Sequence, residues 1–353
     1  MITEIVSTVL MGGKSKIKIQ DVSLMITERC NLHCSYCFQK FFKSKFKNDT
    51  TEYVIKNFID VIDKSGNSVR ELCLWGGEPL LRPDLIKYAV DYSKKINVEC
   101  FKIGTNGILL NENIDLVNGF DIYVSIDGVG SYNYRSTPAH VFKDKAWLRC
   151  DKSYVVCSPV CDMSKNNGNL VDQIKGLIDL GFHNFHIPMV TRNYGMPNID
   201  HVRMFEREYD KLVSMHDRGE INIGAFLGYS GSASLKSPEV WGSDRVYCWV
   251  DIDGGMYPTY FDMLDKKNKY GDCNSGIDTN KLSDVATKFG SYGDNKRCGQ
   301  CKSHDICLIS GLFNYSNHEK EKPSYFSEGI CAEYRAKARC YDRHMESKNG
   351  DSK

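Results

Sequence analysis

No apolar run in this chain approaches the roughly 20 residues that a membrane helix needs, so no spanning segment is expected. Charge of one sign is not in surplus either. The 46 basic and 45 acidic residues leave a net charge of +1, which argues against a large nucleic-acid footprint, since that depends on a basic excess to release counterions. The first ten residues hold Glu4 and no basic cluster, so a secretory signal is not expected. A soluble cytoplasmic protein follows, in a compartment that keeps thiols reduced. The 353 residues, 41 % of them hydrophobic, suffice for about two domains. Cysteine is plentiful. The 15 cysteines are odd in number and cluster at short spacings toward both ends of the chain, a pattern of metal ligation more than of disulfides.

The apolar stretch Leu24–Ile26 passes into a loop carrying Cys30, Cys34 and Cys37, spaced C-x3-C-x2-C. Three thiolates this close converge on one metal centre with little strain. A structural zinc site wants four protein ligands, and an iron–sulfur cube is usually held by four cysteines. Three cysteines leave one iron open to a small molecule. Downstream, Gly76-Gly77-Glu78-Pro79 follows a predicted strand. Its glycines let the backbone approach a ligand closely, and Glu78 can accept from an ammonium group; a plain turn between strand and helix is the other reading.

Hydrophobic periodicity places strands at 22–26, 72–75, 98–103, 121–126, 154–157 and 182–190. Between them it predicts helices from a Thr50 or Thr51 cap to Gly66, from Pro83 through Tyr92, over 114–117 and over 170–180, with another near 202–215. Strands alternating with helices imply right-handed crossovers and a parallel sheet, with ligands at the carboxyl ends of the strands. Glycine and serine enrichment at 228–234 marks a boundary near 225–242, followed by a hairpin over 246–257. The expected organisation is an N-terminal extension over 1–20, an α/β unit over 21–225, a cysteine-rich domain over 240–340 and a frayed tail over 341–353.

The Thr-x-x-Cys-Asn-Leu-x-Cys-x-Tyr-Cys wording of the loop and the Gly-Gly-Glu-Pro turn together resemble the radical SAM superfamily, and within it the branch with a C-terminal SPASM or twitch domain. The resemblance implies a partial (β/α)6 TIM-like barrel. It also implies a [4Fe–4S] cluster on Cys30, Cys34 and Cys37, whose open iron takes S-adenosylmethionine. The reduced centre would yield a 5′-deoxyadenosyl radical that abstracts hydrogen from a peptide, a protein or a small sugar-like metabolite. A flavodoxin or ferredoxin is the implied electron donor. Residues 76–79 would meet the methionine amino group, Ser125 the cofactor, and Arg135 its carboxylate through an arginine fork. Tyr36 would shield the adenine, with Met189 behind it. Asp127, Thr105 and Asn106 would touch the cofactor or substrate. Turn chemistry explains these three nearly as well, and a surface role would explain Arg135.

Near the C-terminus, Cys298-x2-Cys301-x5-Cys307 and the later Cys331 make a four-thiolate set suited to an iron–sulfur cube or to zinc. It resembles the second half of a SPASM domain, which implies one auxiliary [4Fe–4S] cluster. Thr259 and Gly311 stand where a full SPASM domain has further cysteines, so a second auxiliary cluster is not expected. In sulfatase-maturing relatives an aspartate base occupies the position held here by Tyr260, and Asp262 is the nearest substitute. No catalytic base or hydrogen donor is assigned. A zinc-bearing, non-catalytic module is the competing reading.

Overall fold

The computed structural model describes residues 17–37, 48–151, 155–163, 165, 168–189, 198–223, 245–290 and 325–350. The loop exit 40–47, the boundary near 225–242, Cys298, Cys301, Cys307 and most of the N-terminal extension lie outside the described residues, as does the side chain of Cys331. Among the described residues no helix is long and apolar enough to cross a membrane.

The strands are β1 (Lys18–Thr27), β2 (Val69–Gly76), β3 (Val98–Thr105), β4 (Asp121–Val124), β5 (Val155–Cys157) and β6 (Asn184–Phe185), then β7 (Arg245–Val250), β8 (Gly255–Tyr257), β9 (Gly271–Asp272) and β10 (Gly276–Ile277). They form one sheet in the order β10-β9-β8-β7-β1-β2-β3-β4-β5-β6. Strands β1 to β6 pair in parallel, as a partial (β/α)6 barrel requires. Strand β7 pairs in parallel with the free side of β1, and β8, β9 and β10 continue antiparallel from it. The segment read as the start of a separate domain thus extends the barrel sheet.

Alternation along the strands gives the sheet two unlike faces. One row in register runs Val250, Leu24, Leu74, Ile103, Ile122 and Val155. All six are buried in the main core, packed with the helices. The neighbouring row runs Trp249, Ser23, Cys73, Lys102 and Asp121 and lines the inner face with polar groups. There the Lys102 ammonium lies 2.5 Å from the Glu71 carboxylate.

Helix α1 (Glu52–Ser65) starts where Thr51 accepts from Val54 N and ends at Gly66, whose φ of 68° suits a residue without Cβ. Its buried stripe is Val54, Ile55, Phe58, Ile59 and Ile62; each such side chain contributes about 1.5–3 kcal/mol when fully removed from water. Helix α2 (Pro83–Ser93) covers the sheet beside it through Leu85, Ile86 and Ala89. Helix α3 (Ala139–Asp144) was not expected. Helices α4 (Leu170–Ile178) and α5 (Ile199–Asp217) cover the far end of the sheet. Helix α6 (Tyr260–Asp265) follows β8, and α7 (Thr279–Gly290) follows β10.

Two expectations need correction. Residues 114–117 form turns, with Asn113 Nδ2 donating to Leu109 O instead of opening a helix. Residues 341–350 do not fray but complete α8 (Tyr325–Gly350). Arg339 and Arg343 pair with Glu206 of α5 at 2.7 Å, and Arg343 reaches Asp210 at the same distance. Charge pairing between two helices therefore orders a segment whose polarity alone suggested a tail.

Candidate functional site

The cysteine loop leaves the carboxyl end of β1 and returns against it. Its ends are joined by Glu28 N donating to Asn48 O at 2.9 Å and by Thr50 N donating to Ile26 O at 3.0 Å. Asp49 closes the root. Its carboxylate accepts from Thr27 Oγ1 at 2.5 Å and from both edge nitrogens of Arg29, and it pairs with Arg82 at the head of α2. No motif marks Asp49, and its role is visible only in the fold.

Cys30, Cys34 and Cys37 are partly exposed free thiols. Burial raises the thiols of Cys30 and Cys34 above their ordinary range. Cys30 Sγ accepts from Leu32 N at 3.4 Å and lies 3.9 Å from Asn106 Nδ2, donors that favour an anionic sulfur. Among the described residues, no group of three or more His, Cys, Asp or Glu side chains could hold a single metal ion. Three thiols on one loop, with no fourth cysteine in it, are a donor set that fits a [4Fe–4S] cluster with one iron left to an outside ligand.

The Gly76-Gly77-Glu78-Pro79 turn ends β2 directly behind the loop. Gly77 N donates to Thr27 O and Glu78 N to Arg29 O, both at 2.8 Å. A Cβ on Gly76 would lie 2.0 Å from Thr27 O, and one on Gly77 would lie 2.2 Å from Arg29 O. The glycines thus admit the main chain at the root of the cysteine loop.

Glu78 is fully buried. Its carboxylate accepts from Thr105 Oγ1 at 2.8 Å, Asn106 N at 2.7 Å and Leu80 N at 3.2 Å. Burial still pushes its pKa up to about 7 against these donors. Glu78 therefore staples β2 to β3, and its side chain is closed off from solvent. Asn106 extends the staple to the loop by donating to Asn31 Oδ1 at 2.7 Å. Thr105 and Asn106 thus have a structural use. Pro79 opens the short 3₁₀ turn Pro79–Leu81.

At the end of β4, Asp127 is also fully buried. It accepts from the Tyr36 hydroxyl, from Arg135 Nε at 2.9 Å and from Val160 N at 2.9 Å. The Arg135 guanidinium sits 5.3 Å from the centre of the Tyr36 ring. Burial, and then the Asp127 charge, hold the Tyr36 phenol well above its ordinary pKa, against the opposing pull of Arg135. Arg135, for which a surface role and a cofactor contact were both open, is a half-buried partner of Asp127. The Ser125 hydroxyl, one turn away, has no hydrogen-bond partner among the described residues. Met189 is buried past the end of β6, bridged to Cys161.

Two features of this end of the sheet were not read from the sequence. Ser158 and His186, just past β5 and β6, approach within 3.3 Å through Oγ and Nδ1. Strand alternation would have placed both on the inner face. Beside the glycine turn, the Trp75 ring meets Trp249 and Tyr260 edge-on, each at 4.9 Å. Tyr260 is thereby a packing residue. Asp262 is buried and bound to Thr259 Oγ1 at 2.6 Å and Asn268 Nδ2 at 2.7 Å. It lies in the first turn of α6, whose cap, Thr259, accepts from Asp262 N at 3.0 Å.

Comparison with known proteins agrees with this geometry. The chain is 38 % identical over 217 residues to an uncharacterised protein of Methanocaldococcus jannaschii, an alignment covering 57 % of this chain and 72 % of that one. It is 29 % identical over 311 residues to the GTP 3′,8-cyclase of Staphylococcus aureus, covering 84 % and 81 %. The fold resembles anSMEcpe with bound AdoMet, with a TM-score of 0.69, 17 % identity and coverage of 92 % and 98 %. It likewise resembles native anSMEcpe with bound AdoMet and Cp18Cys peptide, with a TM-score of 0.64, 14 % identity and coverage of 94 % and 99 %. The model of the radical SAM superfamily matches residues 24–144, from β1 and the three-cysteine loop through α3. This chain belongs to the radical SAM superfamily and is one of its enzymes.

Proposed function

We propose that this enzyme abstracts a hydrogen atom from a peptide or protein side chain, as a member of the SPASM or twitch branch with a single auxiliary cluster. The observation that carries the reading is the three-thiol loop, with no fourth cysteine in it, clasped at its root by the Gly76-Gly77-Glu78 turn. When bound, the cluster and S-adenosylmethionine would supply the one-electron chemistry that removes a hydrogen atom from the substrate. Cys30, Cys34 and Cys37 would hold the cluster. The Ser125 hydroxyl and the terminal nitrogens of Arg135, which have no hydrogen bond among the described residues, receive the polar groups of the cofactor. Tyr36 and Met189 flank its adenine, and the Trp75, Trp249 and Tyr260 rings help to exclude water. Cys298, Cys301, Cys307 and Cys331 hold the auxiliary cluster. A flavodoxin or ferredoxin delivers the electron.

The likeness to anSMEcpe, a protein seen with a bound peptide, supports a peptide substrate. A small polar metabolite is the second reading. It is favoured by the 29 % identity to a GTP 3′,8-cyclase and by the Lys102–Glu71 pair on the inner face. Anaerobic reconstitution with iron, sulfide, S-adenosylmethionine and a reductant should release 5′-deoxyadenosine. Fully iron-loaded protein that never releases it would end the reading. Stimulation of release by a cysteine- or serine-bearing peptide against stimulation by GTP separates the two substrate classes.

A further inference from the structure

Asp127 joins three segments that are distant in the chain. One carboxylate oxygen accepts from Tyr36, which stands between Cys34 and Cys37. The other accepts from Arg135 Nε and from Val160 N. Behind it, Gln173 of α4 donates to Asp127 O at 2.8 Å and to Val160 O at 3.0 Å. Gln173 is itself fully buried, so the carboxylate has little freedom to turn. The Arg135 guanidinium is held on two sides, by this carboxylate through Nε and by the Tyr36 ring against its face. Only the edge formed by its two terminal nitrogens is left without a hydrogen bond among the described residues, and its side chain is 15 % exposed.

We propose that Asp127 is a positioning residue that sets two things together: the seat of the cluster loop, through Tyr36, and the direction of the Arg135 terminal edge toward a carboxylate-bearing ligand. The proposal rests on the reading of Cys30, Cys34 and Cys37 as cluster ligands and of Arg135 as a cofactor contact. A carboxylate suits a buried place where one oxygen serves a guanidinium and a main-chain N–H and the other a phenol. A neutral amide there would remove the charge facing Arg135 and would have to turn its NH2 on Tyr36, reversing that bond. Tying loop and arginine to one rigid carboxylate holds both near productive geometry.

Three variants separate the roles. Tyr36→Phe releases the loop and leaves Arg135 paired. Arg135→Gln removes the ligand contact and leaves Tyr36 bonded. Asp127→Asn disturbs both. Amide hydrogen exchange over residues 30–37 of the cluster-free protein reads the loop. Binding of S-adenosylmethionine to the reconstituted protein, followed by its effect on the spin-resonance spectrum of the reduced cluster, reads the arginine. Tyr36→Phe should exchange about five-fold faster, the factor one hydrogen bond of ordinary net strength supplies, with near-normal affinity for S-adenosylmethionine. Arg135→Gln should keep loop protection and bind at least about ten-fold more weakly, as loss of a charge-assisted contact implies. Asp127→Asn should show both effects. Loop exchange in Tyr36→Phe equal to wild type, or loss of binding in Arg135→Gln with none in Asp127→Asn, overturns the proposal. Should Asp127→Asn not fold, the exchange arm of Tyr36→Phe still decides. Wild-type protein that takes up no cluster would refute the cluster reading instead, and the exchange arm would still report on the tether.

Discussion

Replacing Gly77 with alanine tests the claim that this glycine serves the loop root rather than a ligand. The added Cβ would lie 2.2 Å from Arg29 O, 2.6 Å from Arg29 C and 2.7 Å from Glu28 O. All three are main-chain atoms, so no side chain can swing aside. To restore ordinary contact the root must retreat by about 1 Å, which strains a packed site by about 1–3 kcal/mol. The retreat also stretches the Gly77–Thr27 and Glu78–Arg29 hydrogen bonds, each worth about 1 kcal/mol net. The sum, about 3–5 kcal/mol, is a large part of a typical fold's stability, but the loop can relieve it by releasing locally before the barrel unfolds. Gly77→Ala should therefore lower the melting temperature of the cluster-free protein. After anaerobic reconstitution it should lose iron and sulfide, falling toward about half the wild-type content as the loop cluster is lost and the proposed auxiliary cluster stays. Gly104→Ala is the matched control, because a Cβ there meets nothing within 4 Å. If Gly77→Ala melted and loaded iron like wild type, the close-approach explanation of the motif would be wrong.

Glu78 should make the cluster-free protein lose stability as pH rises. Its folded pKa of about 7 lies above the ordinary 4.5, so between these values the folded state holds the proton longer and stability falls by about 3 kcal/mol. Because His186 contributes an opposite slope over part of this range, the fall is read as a difference: between pH 5 and pH 7.5, urea unfolding should show wild type losing about this much stability relative to Glu78→Gln, and parallel profiles would contradict it. Thr51→Ala should destabilise the protein by about 1 kcal/mol through loss of the α1 cap, measured by the same unfolding with no change in cluster content. Substituting Cys298, Cys301, Cys307 and Cys331 together by alanine should halve the iron bound, from about eight to about four atoms for two cubes reduced to one. An unchanged iron content would remove the auxiliary cluster from the proposal.

Features governed by near neighbours in the chain were legible in the sequence. The Thr51 cap and the Gly66 stop of α1 depend on chemistry within one helical turn, and both stand where the sequence placed them. The six parallel strands followed from hydrophobic periodicity and turns together with the family resemblance. Pairing between distant segments was not legible. Nothing in Arg245–Val250 announces that it lies beside β1 rather than in a separate unit, because register across more than 200 residues leaves no local pattern. The same holds for Asp127. Its sequence context shows a turn residue, and only the fold brings Tyr36 and Arg135 to its two oxygens. The Gly-Gly pair was recognised as special, but its physical cause, the neighbouring main chain of residues 27–29, appears only once β1 and β2 are side by side.

His186 gives the inner face of the sheet a group whose protonation state can be predicted. It stands past the carboxyl end of β6, its Nδ1 beside Ser158 Oγ. Burial lowers its pKa to about 4, with the Lys337 charge on α8 acting in the same direction. Lys337 is itself paired with Glu333 at 2.6 Å and lies over the Tyr209 ring, so its effect is damped and burial dominates. Because the folded value lies below the ordinary 6.5, the unfolded chain takes up this proton first on acidification. Stability is then complete above about pH 6.5 and falls by about 3 kcal/mol toward pH 4. At neutral pH the imidazole is therefore uncharged and keeps one nitrogen able to accept a proton or a hydrogen bond on the inner wall of the barrel. Nitrogen-15 resonances of the histidine rings should show His186 neutral down to about pH 5, and Lys337→Ala should move its midpoint up by less than one pH unit, as a damped secondary charge implies. A midpoint near 6.5 in the wild-type protein would mean that the ring is solvated, and the inner wall at β6 would then offer an imidazolium under mildly acidic conditions.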